Sequence, residues 1–211
     1  MNCPAFARAN GEAMSFFGKG SFMGWYALFV ETGREELVEK QINSIMYSSE
    51  PDFPYELLIA KREIQEKKAG VMRTVIKRMF PGYILLQTEQ VLDFYFKTKR
   101  CYRLLGVLRQ EVFFKEIKLE EISNIVYMTD EDGVIGKSDV FVANDRIIVI
   151  KGPLKNYDGY IKKVDRRKNR VKVVFLFNGT KHYINLSVNF IEKYHDAFEK
   201  EIPFFTDKYL R

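Results

Sequence analysis

The chain has 211 residues, a formal net charge of +6 at pH 7 and 46% hydrophobic residues, which permits one large or two small domains with packed cores. No apolar run approaches the roughly 18 residues of a membrane-spanning helix. Two cysteines, Cys3 and Cys101, are too few for a disulfide framework, so we expect a cytoplasmic protein with reduced thiols and no membrane partner.

Residues 1–22 are rich in Gly, Ala, Ser and Asn and show no sustained hydrophobic period. They lack the charged start and continuous apolar run of a secretory signal. We therefore expect 1–22 to be a disordered extension, or a stretch upstream of a natural start at Met23.

Strands and helices alternate in the pattern of the next hundred residues. Apolar runs predict strands, and apolar residues at helical spacing predict helices. Strands are predicted at 25–30, at 55–60, within 79–87 after its Pro-Gly turn, and at 102–108. Helices are predicted from a first turn that contains Glu35-Glu36 to Met46, at 90–100 and at 118–128. The charged stretch 61–78 is expected to project as a mobile hairpin or loop. This order predicts an α+β domain over 23–128, with an antiparallel sheet and helices against it.

A polar, glycine-containing stretch follows, and it opens with three acidic residues in four positions. We place an inter-domain linker here, at 129–143. A β-rich domain is then expected at 144–196, and a short tail at 197–211.

The β-rich segment carries the basic excess of the whole chain. Residues 144–196 hold twelve lysines and arginines against five carboxylates, a net charge of +7 where the complete chain has +6. Turn signals at Gly152-Pro153 and Asp158-Gly159 separate apolar runs at 147–150, 160–164 and 171–176. Residues 166–170 are expected to form a charged hairpin tip. This is the electrostatic footprint of a nucleic-acid-binding module.

Two resemblances arise from these motifs. The run Ile148-Val149-Ile150, the Gly152-Pro153 pair and the Asp158-Gly159 turn resemble the KOW motif, a small SH3-like β-barrel. Upstream, Trp25-Tyr26 at the first strand and Phe80-Pro81-Gly82-Tyr83 at the third resemble the N-terminal (NGN) domain of the NusG family. The combination implies an NGN sandwich linked to an all-β KOW barrel, in a monomeric transcription elongation factor.

The resemblance also implies partners. NusG-like N-terminal domains bind the clamp helices of the largest RNA polymerase subunit and suppress pausing. The positions that match this interface are Trp25, Tyr26, Phe80, Pro81, Gly82 and Tyr83. Trp25 and Tyr26 point to opposite faces of their strand, so core packing and interface are equally open for them. Phe80 and Tyr83 flank a turn, which favours presentation at the surface.

Two departures from the family pattern bear on the partners. At the start of the second helix, where RfaH-type paralogues carry a His-Thr-Thr run that touches the polymerase gate loop, this chain has Asp93-Phe94-Tyr95, so the resemblance does not extend to that gate-loop contact. The later KOW hairpin reads Asn178-Gly179 in place of the apolar tip that general NusG uses against ribosomal protein S10 and Rho. A basic KOW domain without that tip resembles the LoaP type of processive antiterminator, which recognises a leader RNA hairpin. The alternative is a housekeeping factor whose KOW domain binds ribosomal protein S10 or Rho. A third possibility, a ribosomal protein that uses a KOW domain to bind rRNA, would leave the segment 23–128 unexplained.

The candidate RNA-binding residues share a positive or stacking side chain. They are Lys151, Lys155, Lys162, Lys163, Arg166, Arg167, Lys168, Arg170, Lys181 and His182. Tyr157 and Tyr183 are further candidates for base stacking. Strand alternation predicts that Lys162 and Lys163 face opposite sides. The competing interpretation of the charge cluster is a solvated hairpin without a ligand.

No enzymatic chemistry is predicted. The chain lacks HExxH, CxxC, Walker-type and GxSxG motifs, and its two histidines, His182 and His195, have no cysteine nearby. We therefore expect neither catalytic residues, nor a metal site, nor a cofactor.

Overall fold

The computed structural model describes residues 23–143 and 146–191, so the expected extension (1–22) and tail (197–211) lie outside the described residues. In the first part of the chain the strands are β1 (Gly24–Val30), β2 (Tyr55–Leu58), β3 (Lys61–Lys68), β4 (Val71–Arg78), β5 (Tyr83–Thr88), β6 (Leu104–Val107), β7 (Arg109–Gln110), β8 (Phe113–Phe114) and β9 (Val134–Ile135). The helices are α1 (Glu35–Ser49), α2 (Val91–Thr98) and α3 (Leu119–Met128). The second part contains β10 (Ser138–Ala143), β11 (Arg146–Lys151), β12 (Ile161–Asp165), β13 (Arg170–Phe177) and β14 (Thr180–Phe190).

A four-stranded antiparallel sheet in the order β2-β5-β1-β6 forms the centre of the first part. Strand alternation sends Leu28 and Val30 to the face covered by α1 and α2, where Ile42 and Phe94 are fully buried. The opposite face carries Trp25 and neighbours that belong to a different core. The predicted α+β sandwich is therefore confirmed, with each sheet face covered by a separate apolar layer.

The charged stretch 61–78, expected to be either a hairpin or a loop, is a hairpin. Strands β3 and β4 pair in register from Lys61↔Arg78 to Lys68↔Val71. Ala69 and Gly70 both have positive φ, 49° and 83°, at the tight turn between them. The first residues of β3 pair in parallel with β9, so the hairpin is anchored at its base.

The second part is a curved five-stranded sheet in the order β11-β10-β14-β13-β12. Neighbouring strands pair antiparallel, except that β10 runs parallel to β14. This arrangement agrees with the predicted all-β C-terminal domain. The domain bounds themselves stay a prediction, but two strands, β9 and β10, lie within 129–143, so this stretch is not the uniform coil that a linker implies.

The two parts share one continuous apolar core. It joins the outer face of the first sheet to the inner face of the second, and α3 packs beside it. Its buried members include Trp25, Ala27, Phe80, Leu85, Ile122, Val173, Phe175, Phe177 and Ile184. In this arrangement the two domains are docked rather than separate.

Candidate functional site

The predicted polymerase-binding motif, Phe80–Tyr83, forms a tight turn before β5. Tyr83 N–H donates to the carbonyl of Phe80 at 3.2 Å, and Val30 N–H donates to the carbonyl of Gly82 at 2.9 Å. Gly82 has φ +84°, and a Cβ there would stand 3.0 Å from Thr32 Oγ1. Glycine is favoured at this position by its left-handed backbone, and a side chain there would also press on the Thr32 hydroxyl.

A buried carboxylate on α1 holds the same turn. Glu35 is completely buried and accepts from Gly82 N–H at 2.8 Å. Its second oxygen lies 3.0 Å from Nε of Arg78, which also pairs with Glu36. A buried charge is tolerated when it is paired and hydrogen-bonded, so Glu35 fixes the turn against the helix.

The two aromatic residues of the turn are covered, and the expectation that both would be presented at the surface is wrong for the docked arrangement. Phe80 is only 5% exposed. Its ring centroid lies 4.5 Å from that of Phe177 at the end of β13 and 5.3 Å from that of His182. Tyr83, half-buried, meets Phe177 edge-on at 5.4 Å. A turn usually presents its side chains to solvent, but here the C-terminal domain supplies an apolar cover.

The other two aromatic candidates, Trp25 and Tyr26, lie on opposite faces of β1, as strand alternation requires. Trp25 is buried in the shared core, and its backbone accepts from Ile117 N–H at 2.7 Å. Tyr26 is half-buried and packs against the opposite core, under α1 and α2. Burial, followed by the nearby Glu116 carboxylate, raises the pKa of Tyr26. Trp25, Phe80 and Tyr83 thus share one face of the sheet, and Tyr26 does not.

Polar contacts reinforce the docking of the domains. The Asn178-Gly179 turn, which has φ 52° and 73°, lies against the start of α3. Lys115 Nζ donates to Asn178 Oδ1 at 2.6 Å, and Gly179 N–H donates to Glu121 Oε1 at 3.2 Å. The tip expected to be an ordinary polar hairpin turn is therefore engaged with the N-terminal domain.

The β3–β4 hairpin makes a second polar contact with the C-terminal sheet. Gln65 N–H donates to Ser187 Oγ at 3.2 Å, and the Arg170 guanidinium donates to the Gln65 carbonyl. Burial, and then the positive charge of Arg170, lowers the pKa of Arg62 on the same hairpin. Arg170 and His182 thus lie in the domain interface.

The other predicted RNA-binding residues are exposed. They are Lys151, Lys155, Lys162, Lys163, Arg166, Arg167, Lys168 and Lys181. Lys162 and Lys163 are both exposed, and the regular alternation on which their predicted placement rested is interrupted between Ile161 and Lys163. A bulge at Lys162 inserts an extra residue between the pairs Ile161↔Val173 and Lys163↔Lys172, which disrupts the period of two.

Register defines one outward face, which we call the basic sheet face: Lys163, Lys172, Lys181 and Tyr183. Lys172 pairs with Lys163 on one side and Asn185 on the other, while Tyr183 pairs with Val174 and Lys181 with Leu176. Directly paired residues have Cβ atoms about 4.5–5.5 Å apart. Lys172 was not among the predicted site residues, since only the pairing of β12 with β13 places it beside Lys163.

The charged tip borders this face, between β12 and β13. Arg166–Lys168 form a single 3-10 turn in which Lys168 N–H donates to Asp165 Oδ1 at 3.1 Å. Asn169 closes the turn in the left-handed region, at φ 50°. Among the described residues, no carboxylate pairs with these three cations or with those of the basic sheet face. Their charge is thus available to an external anion.

The described residues include neither a cluster of three or more His, Cys, Asp or Glu able to hold a metal ion, nor a helix with the length and apolar character to cross a membrane.

Comparison with known proteins identifies similar chains. A family model described as "Transcription termination factor nusG" matches residues 23–126. The "Transcription termination/antitermination protein NusG" of Rickettsia typhi is 25% identical over 177 residues, which cover 83% of this chain and 92% of that protein. The protein of the same description from Pseudomonas aeruginosa is 24% identical over 172 residues, covering 80% and 97%. A solved structure described as "Domain interaction in Thermotoga maritima NusG" is 18% identical, with a TM-score of 0.48 and coverage of 79% and 94%.

Proposed function

We infer that the chain belongs to the NusG family of transcription termination and antitermination factors, and from this premise we propose that it is a specialised processive antiterminator. Its N-terminal domain binds the clamp helices of RNA polymerase. Its C-terminal domain binds a hairpin in a leader transcript. The basic sheet face with its bordering tip is the observation that carries the specialised part of this proposal.

The polymerase contact is assigned to the face that carries Trp25, Phe80 and Tyr83. Aromatic side chains bury a large area with few rotatable bonds, and they dominate many protein interfaces. The rigid turn held by Glu35 fixes where Phe80 and Tyr83 stand. Because Phe177 covers this face, polymerase and the C-terminal domain compete for it, and the domains separate when polymerase binds.

The RNA contact is assigned to the surface that docking leaves open. Lys163, Lys172 and Lys181 lie on the outer side of the C-terminal sheet, away from Phe177. Lysine and arginine neutralise phosphates and release counterions, which supplies affinity without sequence preference. Side chains reach poorly into the deep major groove of an A-form stem, so loops, bulges and widened grooves are the preferred targets.

The housekeeping alternative depends on the tip at Asn178-Gly179. That tip is polar, and it contacts Lys115 and Glu121 of the same chain. It offers no apolar side chain to ribosomal protein S10 or Rho. The cations of the basic sheet face favour RNA as the second partner.

The deciding experiment measures binding of the full-length protein to the leader RNA of the neighbouring operon over a range of salt concentrations. Each neutralised phosphate adds roughly 0.7–0.9 to the slope of log affinity against log salt. Replacing Lys163, Lys172, Arg166 and Arg167 with Ala should weaken binding strongly and flatten that slope by the same roughly 0.7–0.9 for each phosphate that is no longer neutralised.

The matched control removes exposed charges from the other domain, at Lys99 and Arg100 after α2. That double variant should bind RNA as the unchanged protein does. If the full chain binds no leader RNA at low salt but binds ribosomal protein S10 or Rho, the housekeeping alternative replaces this proposal.

A further inference from the structure

Three tyrosines from both domains form one aromatic cluster at the domain boundary. Tyr127 comes from α3, and Tyr157 and Tyr160 come from the loop before β12. The ring centroids of Tyr127 and Tyr157 are 5.6 Å apart, and those of Tyr157 and Tyr160 are 5.9 Å apart. Tyr127 is 51% exposed and Tyr160 is 45% exposed, with Tyr157 half-buried between them. The cluster is therefore a row of rings with its outer members open to solvent.

The surroundings of this row suit an anionic, aromatic ligand. Tyr160 stands two residues before the exposed pair Lys162 and Lys163. A Cβ placed on Gly159, between the two loop tyrosines, would meet no heavy atom within 4 Å, so the surface there is open. The pKa of Tyr157 is raised, mainly by burial and further by the neighbouring Tyr127 and Tyr160. Its hydroxyl therefore stays protonated, and the ring uncharged, beside a phosphate.

We propose that Tyr127, Tyr157 and Tyr160 form a stacking platform for unpaired RNA bases, with Lys162 and Lys163 holding the adjoining phosphates. Aromatic rings beside cations are the usual means of binding single-stranded nucleic acid, because every base has a face that stacks. This inference rests on the proposed RNA-binding function and specifies its ligand: unpaired nucleotides rather than a stem.

One member of the platform belongs to the N-terminal domain, which gives the proposal a distinctive consequence. Tyr127 lies beside Tyr157 only while the domains are docked. Unpaired RNA therefore binds more tightly to the docked arrangement than to the separated one. Under this proposal the N-terminal domain contributes directly to RNA binding through Tyr127.

The test uses the full chain with two probes, an oligouridine of about ten nucleotides and a blunt RNA duplex of similar length. Tyr127→Ala and Tyr160→Ala should each weaken oligouridine binding by roughly five- to a hundredfold, the range for removal of one stacked base. The salt slope should stay unchanged because the same phosphates are still neutralised. Binding of the duplex should change little. Tyr127→Phe should restore oligouridine binding, since the ring remains.

Two controls separate stacking from other effects. Tyr47→Ala removes a tyrosine that is 77% exposed on α1 of the same domain, and should bind both probes normally. Ser187→Ala removes the cross-domain hydrogen bond from Gln65 without touching a tyrosine or a charge. It should leave oligouridine affinity within about twofold of the unchanged protein.

The outcomes distinguish the two proposals. If the tyrosine variants bind oligouridine normally while removal of the Lys163 and Lys172 charges abolishes RNA binding, the platform is wrong and the RNA-binding function stands. Equal weakening by Ser187→Ala and Tyr127→Ala would mean that Tyr127 only supports docking, and would also overturn the platform. If the unchanged protein binds neither probe nor leader RNA at low salt, both proposals are wrong.

Discussion

Phe177→Ala should release the C-terminal domain from the N-terminal domain. Phe177 is 1% exposed, and its ring packs against Phe80 and Tyr83 of the other domain, with centroids 4.5 and 5.4 Å away. Truncating a buried Phe to Ala costs about 3–5 kcal/mol, of which the cavity contributes a part. The two ring pairs add about 0.5–1.5 kcal/mol each to the interface beyond its buried area.

Most of this free energy should be lost from the association of the two domains, because both ring partners of Phe177 belong to the N-terminal domain. A change of about 3 kcal/mol alters the ratio of docked to separated molecules by more than a hundredfold. Phe175→Ala is the matched control. Phe175 is buried on the same face of β13, two residues earlier, and among the described residues its ring has no aromatic partner in the N-terminal domain.

Two measurements report the separation. Trp25 is the single tryptophan of the chain and lies in the shared core, so its fluorescence emission should shift to longer wavelength when the C-terminal domain separates from the N-terminal domain. Protease should cut residues 136–137 faster, because they connect β9, which pairs with β3 of the N-terminal domain, to β10, which pairs with β14 of the C-terminal domain. Under the proposed function, Phe177→Ala should also raise affinity for core polymerase. Phe80→Ala and Tyr83→Ala should lower it, by about 2 kcal/mol for a dominant interface residue.

Emission and cleavage identical to those of Phe175→Ala would refute the reasoning, since the Phe177 ring would then support only its own sheet. Wild-type polymerase affinity in both Phe80→Ala and Tyr83→Ala would move the polymerase interface elsewhere.

Three further predictions concern the Phe80–Tyr83 turn and the Cys101 thiol. Glu35→Gln should lower the free energy of unfolding in urea by about 2 kcal/mol, because the buried ion pair is removed, and an unchanged midpoint would contradict its role. Gly82→Ala should cost about 1–2 kcal/mol through its positive φ and the close Thr32 hydroxyl, whereas Gly136→Ala, in open space without positive φ, should be nearly neutral. Burial raises the pKa of the Cys101 thiol. In a Cys3→Ser variant, iodoacetamide should therefore modify Cys101 slowly at neutral pH and quickly once urea unfolds the chain. Fast modification of the folded protein would contradict this.

Much of the secondary structure could be predicted from sequence because its signals are local. Alternating and continuous apolar runs identified β1, β5 and β13, and helical spacing identified α1, α2 and α3. Sequence also placed Trp25 and Tyr26 on opposite faces, as the two cores confirm. The strands within 129–143 were missed, since β9 has two residues and a polar composition surrounds both.

The exposure of the site depended on contacts between distant residues. A Phe-Pro-Gly-Tyr turn has the same local signal whether solvent or Phe177 covers it, and almost a hundred positions separate Phe80 from its cover. Likewise, the positive charge of 144–196 was evident from composition. Only strand register, with the bulge at Lys162, placed Lys163 beside Lys172, and only domain docking brought Tyr127 to Tyr157. Sequence by itself determined the elements and the total charge, because these depend on neighbouring residues. The tertiary structure decided which side chains are covered and which stand together, because burial depends on shape complementarity between segments far apart in the chain.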